Sequence, residues 1–166
     1  IIDLSTMANQ PMLSNDGRYV IVYNGEVYNY LELKQELKKD FLFKTKTDTE
    51  VVLAAFQKWG IDCVKRFNGM FAFVIFDKLT KEIFGFRDRF GIKPFYYTCD
   101  DNRFIFASEI KSILPLIKKK YANEKIIFDY ISYNRTDHTN ETFFKGIYKL
   151  QHGSYFKLSK NNFVKK

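Results

Sequence analysis

The chain has 166 residues, 46% of them hydrophobic and 18% aromatic, with only 3 prolines and 8 glycines. This composition excludes an intrinsically disordered chain and supplies enough apolar side chains for one mixed α and β domain. The formal net charge is +8. A solvated surface is favoured over a nucleic-acid interface, because the lysine clusters lack interleaved arginines and aromatic residues. The clustered lysines are Lys111, Lys118, Lys119, Lys120 and Lys125, and then Lys157, Lys160, Lys165 and Lys166.

The first third of the chain predicts a hairpin followed by helices. Residues 19–23 (YVIVY) predict a strand, the Asn24-Gly25 pair predicts a hairpin turn, and residues 26–30 would return as the second strand. Asn29 followed by Glu32 resembles a helix-capping box, so a helix is expected up to about residue 40. A second capping box at residues 47–50 predicts a helix that Gly60 ends, with a short helix at 62–67 after it.

The rest of the chain predicts mainly strands. Seven apolar residues at 70–76 predict a strand buried on both faces, with residues 83–86 as its hairpin partner. Further strands are expected at 95–98, 103–107, 148–150 and 154–158, and helices are expected after a Ser108 cap and over 126–133. Short hairpins between strands that are apolar on both faces favour two stacked antiparallel sheets flanked by helices, an α+β fold.

The cysteines and histidines exclude several kinds of site. Two cysteines cannot form a disulfide framework for a domain of this size. Cys63 lies in an apolar helical pattern and is interpreted as a buried, inert thiol, and Cys99 beside Asp100 and Asp101 is interpreted as a poor nucleophile. The two histidines, at 138 and 152, have no ligand spacing, so we expect no metal site. No apolar run approaches the roughly 20 residues of a membrane span, so we expect a cytoplasmic protein without membrane contact.

Two polar features are candidate sites. Asn24-Gly25-Glu26 is either a tight turn or a pair of donors, the Asn24 amide and the Gly25 backbone N–H, that face a developing oxyanion beside a carboxylate. Asp48 either serves the start of its helix or, because Thr47 can cap that helix, remains available for the ammonium group of a ligand. These residues alone leave both alternatives open.

A third feature is the charged loop at residues 87–94. Arg87, Asp88 and Arg89 at the end of a strand favour a local ion-pair network with a structural role over direct contact with a substrate. A phosphate cradle is a weaker alternative, because the loop contains a single glycine. No nucleophile and base lie at suggestive spacing anywhere in the chain, so pattern alone indicates a binding domain of unknown ligand.

Several segments in sequence order resemble class II glutamine amidotransferase domains, in particular those of asparagine synthetases. They are IIDLS at 1–5, QPM at 10–12, YNGEVYNY at 23–30, TDTE at 47–50, FNGMFAF at 67–73, RDRFGIKP at 87–94 and ASEIK at 107–111. A weaker similarity follows at 150–155, where Gln151-His152 replaces the usual proline. Each segment alone is weakly specific, but the ordered set is highly specific.

The resemblance implies a fold and a site. The fold is the four-layer αββα sandwich of two stacked antiparallel sheets found in N-terminal-nucleophile hydrolases, in which an N-terminal cysteine attacks the amide and its own α-amino group is the base. Asn24 and Gly25 match the oxyanion hole. The remaining L-glutamine-binding positions are matched by Ile1, Ile2, Glu26 and Asp48, of which the two carboxylates hold the α-amino end.

The resemblance also implies what surrounds residues 1–166, which we expect to be a partial amidotransferase domain. The nucleophilic cysteine and the arginine for the glutamine carboxylate are expected before Ile1, so these residues alone should be inactive. The start of a linker to an ATP-dependent synthetase domain is expected near residues 115–166. No cofactor is expected in this domain, and ATP and Mg are expected only in the synthetase domain.

The expected activity of the parent protein is that of a glutamine-hydrolysing asparagine synthetase, with the synthetase domain as partner and a homodimer left open. No nucleic-acid or membrane partner is expected. One alternative keeps the domain but changes the acceptor, as in amidotransferases of cell-surface polysaccharide biosynthesis. A second alternative is a non-enzymatic binding module that uses its basic surface.

Overall fold

The computed structural model describes residues 2–100, 103–159 and 162–165. The strands are β1 (Met12–Leu13), β2 (Tyr19–Val27), β3 (Gly69–Asp77), β4 (Glu82–Arg87), β5 (Tyr96–Cys99), β6 (Phe104–Ala107), β7 (Tyr148–Lys149), β8 (Tyr155–Ser159) and β9 (Asn162–Lys165). The helices are α1 (Tyr30–Leu37), α2 (Asp48–Trp59), α3 (Ile110–Ile113) and α4 (Glu124–Tyr133), with short 3₁₀ turns at Thr6–Ala8, Gly60–Arg66 and Leu114–Leu116. Of the residues used in the sequence predictions, Ile1, Asp101, Lys160 and Lys166 lie outside the described residues.

The strands form two antiparallel sheets, as the sequence predicted. One sheet has the order β1-β2-β3-β4-β8-β9 and the other has the order β6-β5-β7. Helices α1 and α2 pack on the outer face of the larger sheet. On the outer face of the smaller sheet, α3 contacts β5 and β6, and Ile126 of α4 shares a cavity with Tyr96 and Lys149. The predicted four-layer arrangement is therefore confirmed.

The side chains of β3 alternate between two cores because successive residues of a strand face opposite sides of the sheet. Phe71, Phe73 and Ile75 pack against the helices, whereas Ala72 and Val74 pack against the smaller sheet. A strand that is buried on both faces explains the uninterrupted apolar run predicted from the sequence.

The predicted hairpin turn at Asn24-Gly25 is wrong. Both residues lie inside β2, which continues to Val27 and pairs along its whole length with β3. Gly25 is required for a different reason. A Cβ there would lie 2.3 Å from the Met70 carbonyl oxygen, and a Cβ at Gly69 would lie 2.2 Å from the Glu26 carbonyl oxygen. The glycines therefore permit close approach of two backbones rather than a turn.

The predicted helix starts are right in place but only partly right in their caps. Thr47 caps α2, its hydroxyl accepting from the Thr49 N–H at 3.1 Å, and Gly60 ends that helix with φ of +58°. Asn29 does not cap α1; its side chain instead donates to the Arg66 carbonyl and accepts from the Asn68 N–H, just beyond the paired ends of β2 and β3. Ser108 does not cap α3 either, because its hydroxyl faces the space between the sheets.

The charged loop at residues 87–94 has the predicted structural role through a different set of contacts. Asp88 is 1% exposed, and its carboxylate accepts backbone N–H groups of Phe71, Phe90, Ile92 and Lys93 at 3.0 to 3.2 Å. Burial acts to raise the pKa of Asp88, but these four hydrogen bonds outweigh it and lower the pKa.

The two arginines of this loop bind backbone carbonyls, so the predicted ion-pair network with Asp88 is wrong. Arg87 donates to the carbonyls of Lys93, Leu150 and Gly91 at 2.6 to 2.8 Å. Arg89 reaches the carbonyls of Phe67 and Lys65. Fixed in this way, the loop supports Phe71, which is the register partner of Gly25.

Candidate active site

Among the residues that the structure describes, one position on the outer edge of β2 has no hydrogen-bond partner. Ile21 pairs with Met12 of β1. At Tyr23, the side-chain amide of Gln10 replaces a strand, accepting from the N–H at 2.6 Å and donating to the C=O at 2.9 Å. At Val27, the N–H donates to Asp48 Oδ2 at 2.9 Å. Gly25 lies between these two occupied positions.

The backbone N–H of Gly25 lies in the plane of the sheet and points outward, away from β3, at this gap. In an antiparallel ladder the N–H groups of alternate residues point to the same side. Since those of Tyr23 and Val27 point to the outer edge, the N–H of Gly25 also points there, away from β3. The strand therefore presents one backbone donor to whatever occupies the gap, as the oxyanion-hole prediction requires.

Asn24 supplies a second donor beside this gap. Its side chain points to the face that the two sheets share, since its neighbour Val22 packs there. The carboxamide Nδ2 donates to the Ser108 hydroxyl at 3.1 Å. Asn24 and Ser108 line a cavity of about 350 Å³ between the sheets, whose other walls include Ala72 and Phe106. The second hydrogen of Nδ2 remains for an oxygen bound in that cavity.

Asp48 lies at the other side of the gap and is 5% exposed. Its Oδ2 accepts from the Tyr23 hydroxyl at 2.8 Å as well as from Val27. The cap of α2 is supplied by Thr47, so this carboxylate is not needed for capping, in agreement with the sequence argument. The carboxylate nonetheless accepts hydrogen bonds from Tyr23 and Val27, which no local pattern in the sequence indicates.

Of the remaining predicted site residues that the structure describes, Glu26 lies in β2 and Ile2 lies before the first 3₁₀ turn. Glu26 follows Gly25 and has an exposed side chain. The segment containing Ile2 reaches the loop before α2, because Asp3 accepts from the Lys46 N–H at 2.8 Å. Asp48 therefore lies against the outer edge of β2, whereas Glu26 lies on the same face of that strand as Asn24. Their predicted contacts with glutamine stay a prediction.

Neither cysteine lies at this edge. Cys63 is fully buried among the residues that pack beneath α2, and burial raises its pKa to about 12, which confirms an inert thiol. Cys99 is exposed at the end of β5. Within the described part of the chain, no group of three or more His, Cys, Asp and Glu residues is arranged to hold a metal, and no helix is long and apolar enough to cross a membrane.

Three residues of this region escaped the sequence argument. The sequence predicts Ser108 as a helix cap, and it gives Gln10 and Tyr23 no role beyond their places in matching segments and, for Tyr23, in a strand. Their roles depend on contacts between residues 13, 84 and 25 positions apart, which no local pattern shows. A polar residue immediately before a proline, or after a buried strand, carries no signal for such a contact.

A comparison with protein families identifies the family of this chain. The family model for a glutamine amidotransferase domain matches residues 1–166. The chain belongs to this family. The amidotransferase domain is 50% identical over 136 residues to a putative glutamine-hydrolysing asparagine synthetase 2 of Methanocaldococcus jannaschii, covering 72% of this chain and 26% of that protein.

Two other relatives cover nearly all of the amidotransferase domain. Glutamine-hydrolysing asparagine synthetase 1 of Bacillus subtilis is 36% identical over 159 residues, which is 95% of this chain and 25% of that protein. The protein named amidase chry2 of Gibberella zeae is 38% identical over 155 residues, which is 93% of this chain and 22% of that protein. The domain thus spans about a quarter of the length of these relatives.

Solved structures support the fold of the amidotransferase domain. A glutamine phosphoribosylpyrophosphate amidotransferase from B. subtilis superimposes with a TM-score of 0.65 at 19% identity, covering 95% of this chain and 31% of that one. A second structure, described as the allosteric regulatory enzyme of purine biosynthesis, gives a TM-score of 0.69 at 20% identity, covering 98% and 31%. These likenesses show the N-terminal-nucleophile hydrolase fold.

Proposed function

We propose that this domain binds L-glutamine at the open edge of β2 and hydrolyses its side-chain amide. The observation that supports the proposal is a pair of adjacent neutral donors: the Gly25 N–H at the outer edge of β2, and the Asn24 carboxamide, which lines the cavity between the sheets. Two such donors stabilise the oxyanion formed when a nucleophile attacks an amide carbon. We propose that the carboxylates of Glu26 and Asp48 receive the substrate ammonium group.

The proposed reaction proceeds through a thioester. The N-terminal cysteine thiolate of the whole protein attacks the amide carbon and gives a tetrahedral oxyanion, and collapse of this intermediate expels ammonia after its nitrogen is protonated. Water then attacks the thioester, releasing glutamate and regenerating the thiol. The base is the free α-amino group of that cysteine.

For the whole protein we propose a glutamine-hydrolysing asparagine synthetase, which passes the ammonia to an ATP- and Mg-dependent domain that amidates aspartate in the cytoplasm. The names of the M. jannaschii and B. subtilis relatives support this acceptor. A second candidate keeps glutamine but uses another acceptor, since a relative with 38% identity bears the name of an amidase. Formation of asparagine from glutamine, aspartate and ATP distinguishes the two candidates.

The proposed glutamine site is tested by Asn24→Ala in the whole protein that carries this domain. Loss of one oxyanion donor typically lowers kcat by about 10²–10³-fold, so we expect a fall of that size in glutamate release. The matched control is Asn15→Ala, which removes a carboxamide that binds the Leu42 carbonyl, near the start of β2 rather than at the cavity. Equal activity of both variants would contradict the proposed site.

A further inference from the structure

The hydroxyl of Tyr23 makes a buried contact with Asp48. The Tyr23 ring packs edge-on against Phe73, with centroids 6.2 Å apart, and its hydroxyl donates to Asp48 Oδ2 at 2.8 Å. Burial, together with the nearby Asp48 carboxylate, raises the pKa of Tyr23. The phenol therefore remains protonated, and remains a donor, across the physiological pH range.

The position of Tyr23 is fixed by its main chain as well. The Gln10 side chain binds both its N–H and its C=O, and residue 23 also belongs to the β2–β3 ladder, opposite Phe73. A ring held on one side by Phe73 and a backbone held by Gln10 leave the hydroxyl little freedom. It is thus a preorganised donor to the carboxylate.

The contacts of Asp48 are unequally divided between its two oxygens. Oδ2 accepts from both Tyr23 and Val27 at 2.8 and 2.9 Å. Within the described part of the chain, Oδ1 accepts only from the Thr47 hydroxyl, at 3.3 Å, and that hydroxyl also contacts the Thr49 side chain. Oδ1 is therefore the oxygen with acceptor capacity left for an external donor.

We propose that Tyr23 is a positioning residue, which makes the site selective for substrates with an ammonium group by holding Asp48 with Oδ1 available. This inference rests on the proposed function, since it assumes that Asp48 receives the glutamine ammonium. Without the phenol, Oδ2 loses one of its two strong donors. The carboxylate is then free to rotate, so that Oδ1 is no longer held toward the substrate. Selectivity for the ammonium group falls as a result.

The test is Tyr23→Phe in the whole protein, with Tyr19→Phe as the matched control. Tyr19 lies on the same face of β2 and packs edge-on against Phe56, and its hydroxyl makes no hydrogen bond within the described residues. The substrate is glutamine. The probe is glutaramate, which keeps the amide and the carboxylate but lacks the α-amino group and is measured as a competitive inhibitor.

We expect Tyr23→Phe to raise KM for glutamine about tenfold, the size of one charge-assisted hydrogen bond, with kcat within twofold of wild type. The Ki for glutaramate should stay unchanged, and Tyr19→Phe should change neither constant. Against Asp48→Asn as background, Tyr23→Phe should add no further loss of selectivity, because the two changes act on the same interaction.

Three outcomes overturn the inference. A parallel rise in KM and in the Ki for glutaramate would show general damage to the site, as would a variant that fails to fold while Tyr19→Phe folds. An unchanged KM would show that the phenol does not influence recognition. In all three cases the wild-type protein still hydrolyses glutamine, so the proposed function stands. A wild-type protein without glutaminase activity would instead overturn the proposed function itself, and with it this inference.

Discussion

Replacement of Asp88 by asparagine should destabilise the domain far more than the change of one atom suggests. The buried carboxylate accepts backbone N–H groups of Phe71, Phe90, Ile92 and Lys93, two on each oxygen. Asparagine retains one acceptor oxygen, and its amide nitrogen is itself a donor. In Asp88→Asn, two of these four N–H groups therefore lose their acceptor and face another donor.

The expected loss follows from these contacts. Each buried donor left without an acceptor costs about 1–3 kcal/mol, and hydrogen bonds to a neutral acceptor are weaker than those to a charged one. Two orphaned donors and two weakened bonds give a loss of about 3–5 kcal/mol in the free energy of unfolding. That is a large part of the roughly 5–15 kcal/mol available to a domain.

Urea unfolding followed by the fluorescence of Trp59 measures this loss. The matched control is Asp62→Asn, which removes an exposed carboxylate that pairs with Lys65, and surface changes of this kind stay within about 0.5 kcal/mol. The pH dependence gives a second readout. The lowered pKa of Asp88 means that its stabilisation is present above the unfolded pKa and is lost as pH falls through the folded one.

A loss below about 1 kcal/mol for Asp88→Asn, or a loss equal to that of Asp62→Asn, would refute this reasoning. It would mean that the backbone of residues 87–94 rearranges to satisfy its own N–H groups. The carboxylate would then contribute little to fixing Phe71 of β3, the residue that pairs with Gly25.

Two further predictions concern pH and thiol chemistry. The Arg18 guanidinium lowers the pKa of Asp77 to about 2, so the stability difference between wild type and Arg18→Met should be full at neutral pH and shrink between about pH 4 and pH 2 in urea midpoints. In the folded protein a thiol reagent should modify Cys99 and leave Cys63 unmodified, as peptide mass mapping can show. A third concerns packing. A Cβ at Gly85 would lie 2.0 Å from the Phe156 ring, so Gly85→Ala should lower the unfolding free energy by about 1–3 kcal/mol in the same urea assay.

Much of the fold could be predicted from the sequence because its signals are local. The apolar run at residues 70–76 indicated a strand buried on both faces, and Thr47 and Gly60 indicated the ends of α2. These features depend on periodicity, capping and backbone conformation, which a short segment carries by itself.

The errors arose where a distant contact decides what a residue does. Asn24-Gly25 carries a strong local turn signal. The glycine is needed because the Met70 carbonyl leaves no room for a Cβ, and the Asn24 amide donates to the Ser108 hydroxyl. Asn29 likewise has the composition of a cap, but its side chain accepts from the Asn68 N–H. In the candidate site, the residue types were visible in the sequence. The hydrogen bond between the Tyr23 hydroxyl and Asp48 was not visible, because it forms only when α2 packs against β2.

The gap in the edge of β2 also has a consequence for solvent exchange. A nine-residue strand in the middle of a folded domain normally protects all its amides, but here protection should alternate along one side. The amides of Tyr23 and Val27 are held by side chains, whereas that of Gly25 faces the gap. Its hydrogen should exchange with deuterium quickly in the free protein and slow when an oxygen occupies the site. One amide in the interior of a stable strand thereby becomes a spectroscopic reporter of occupancy.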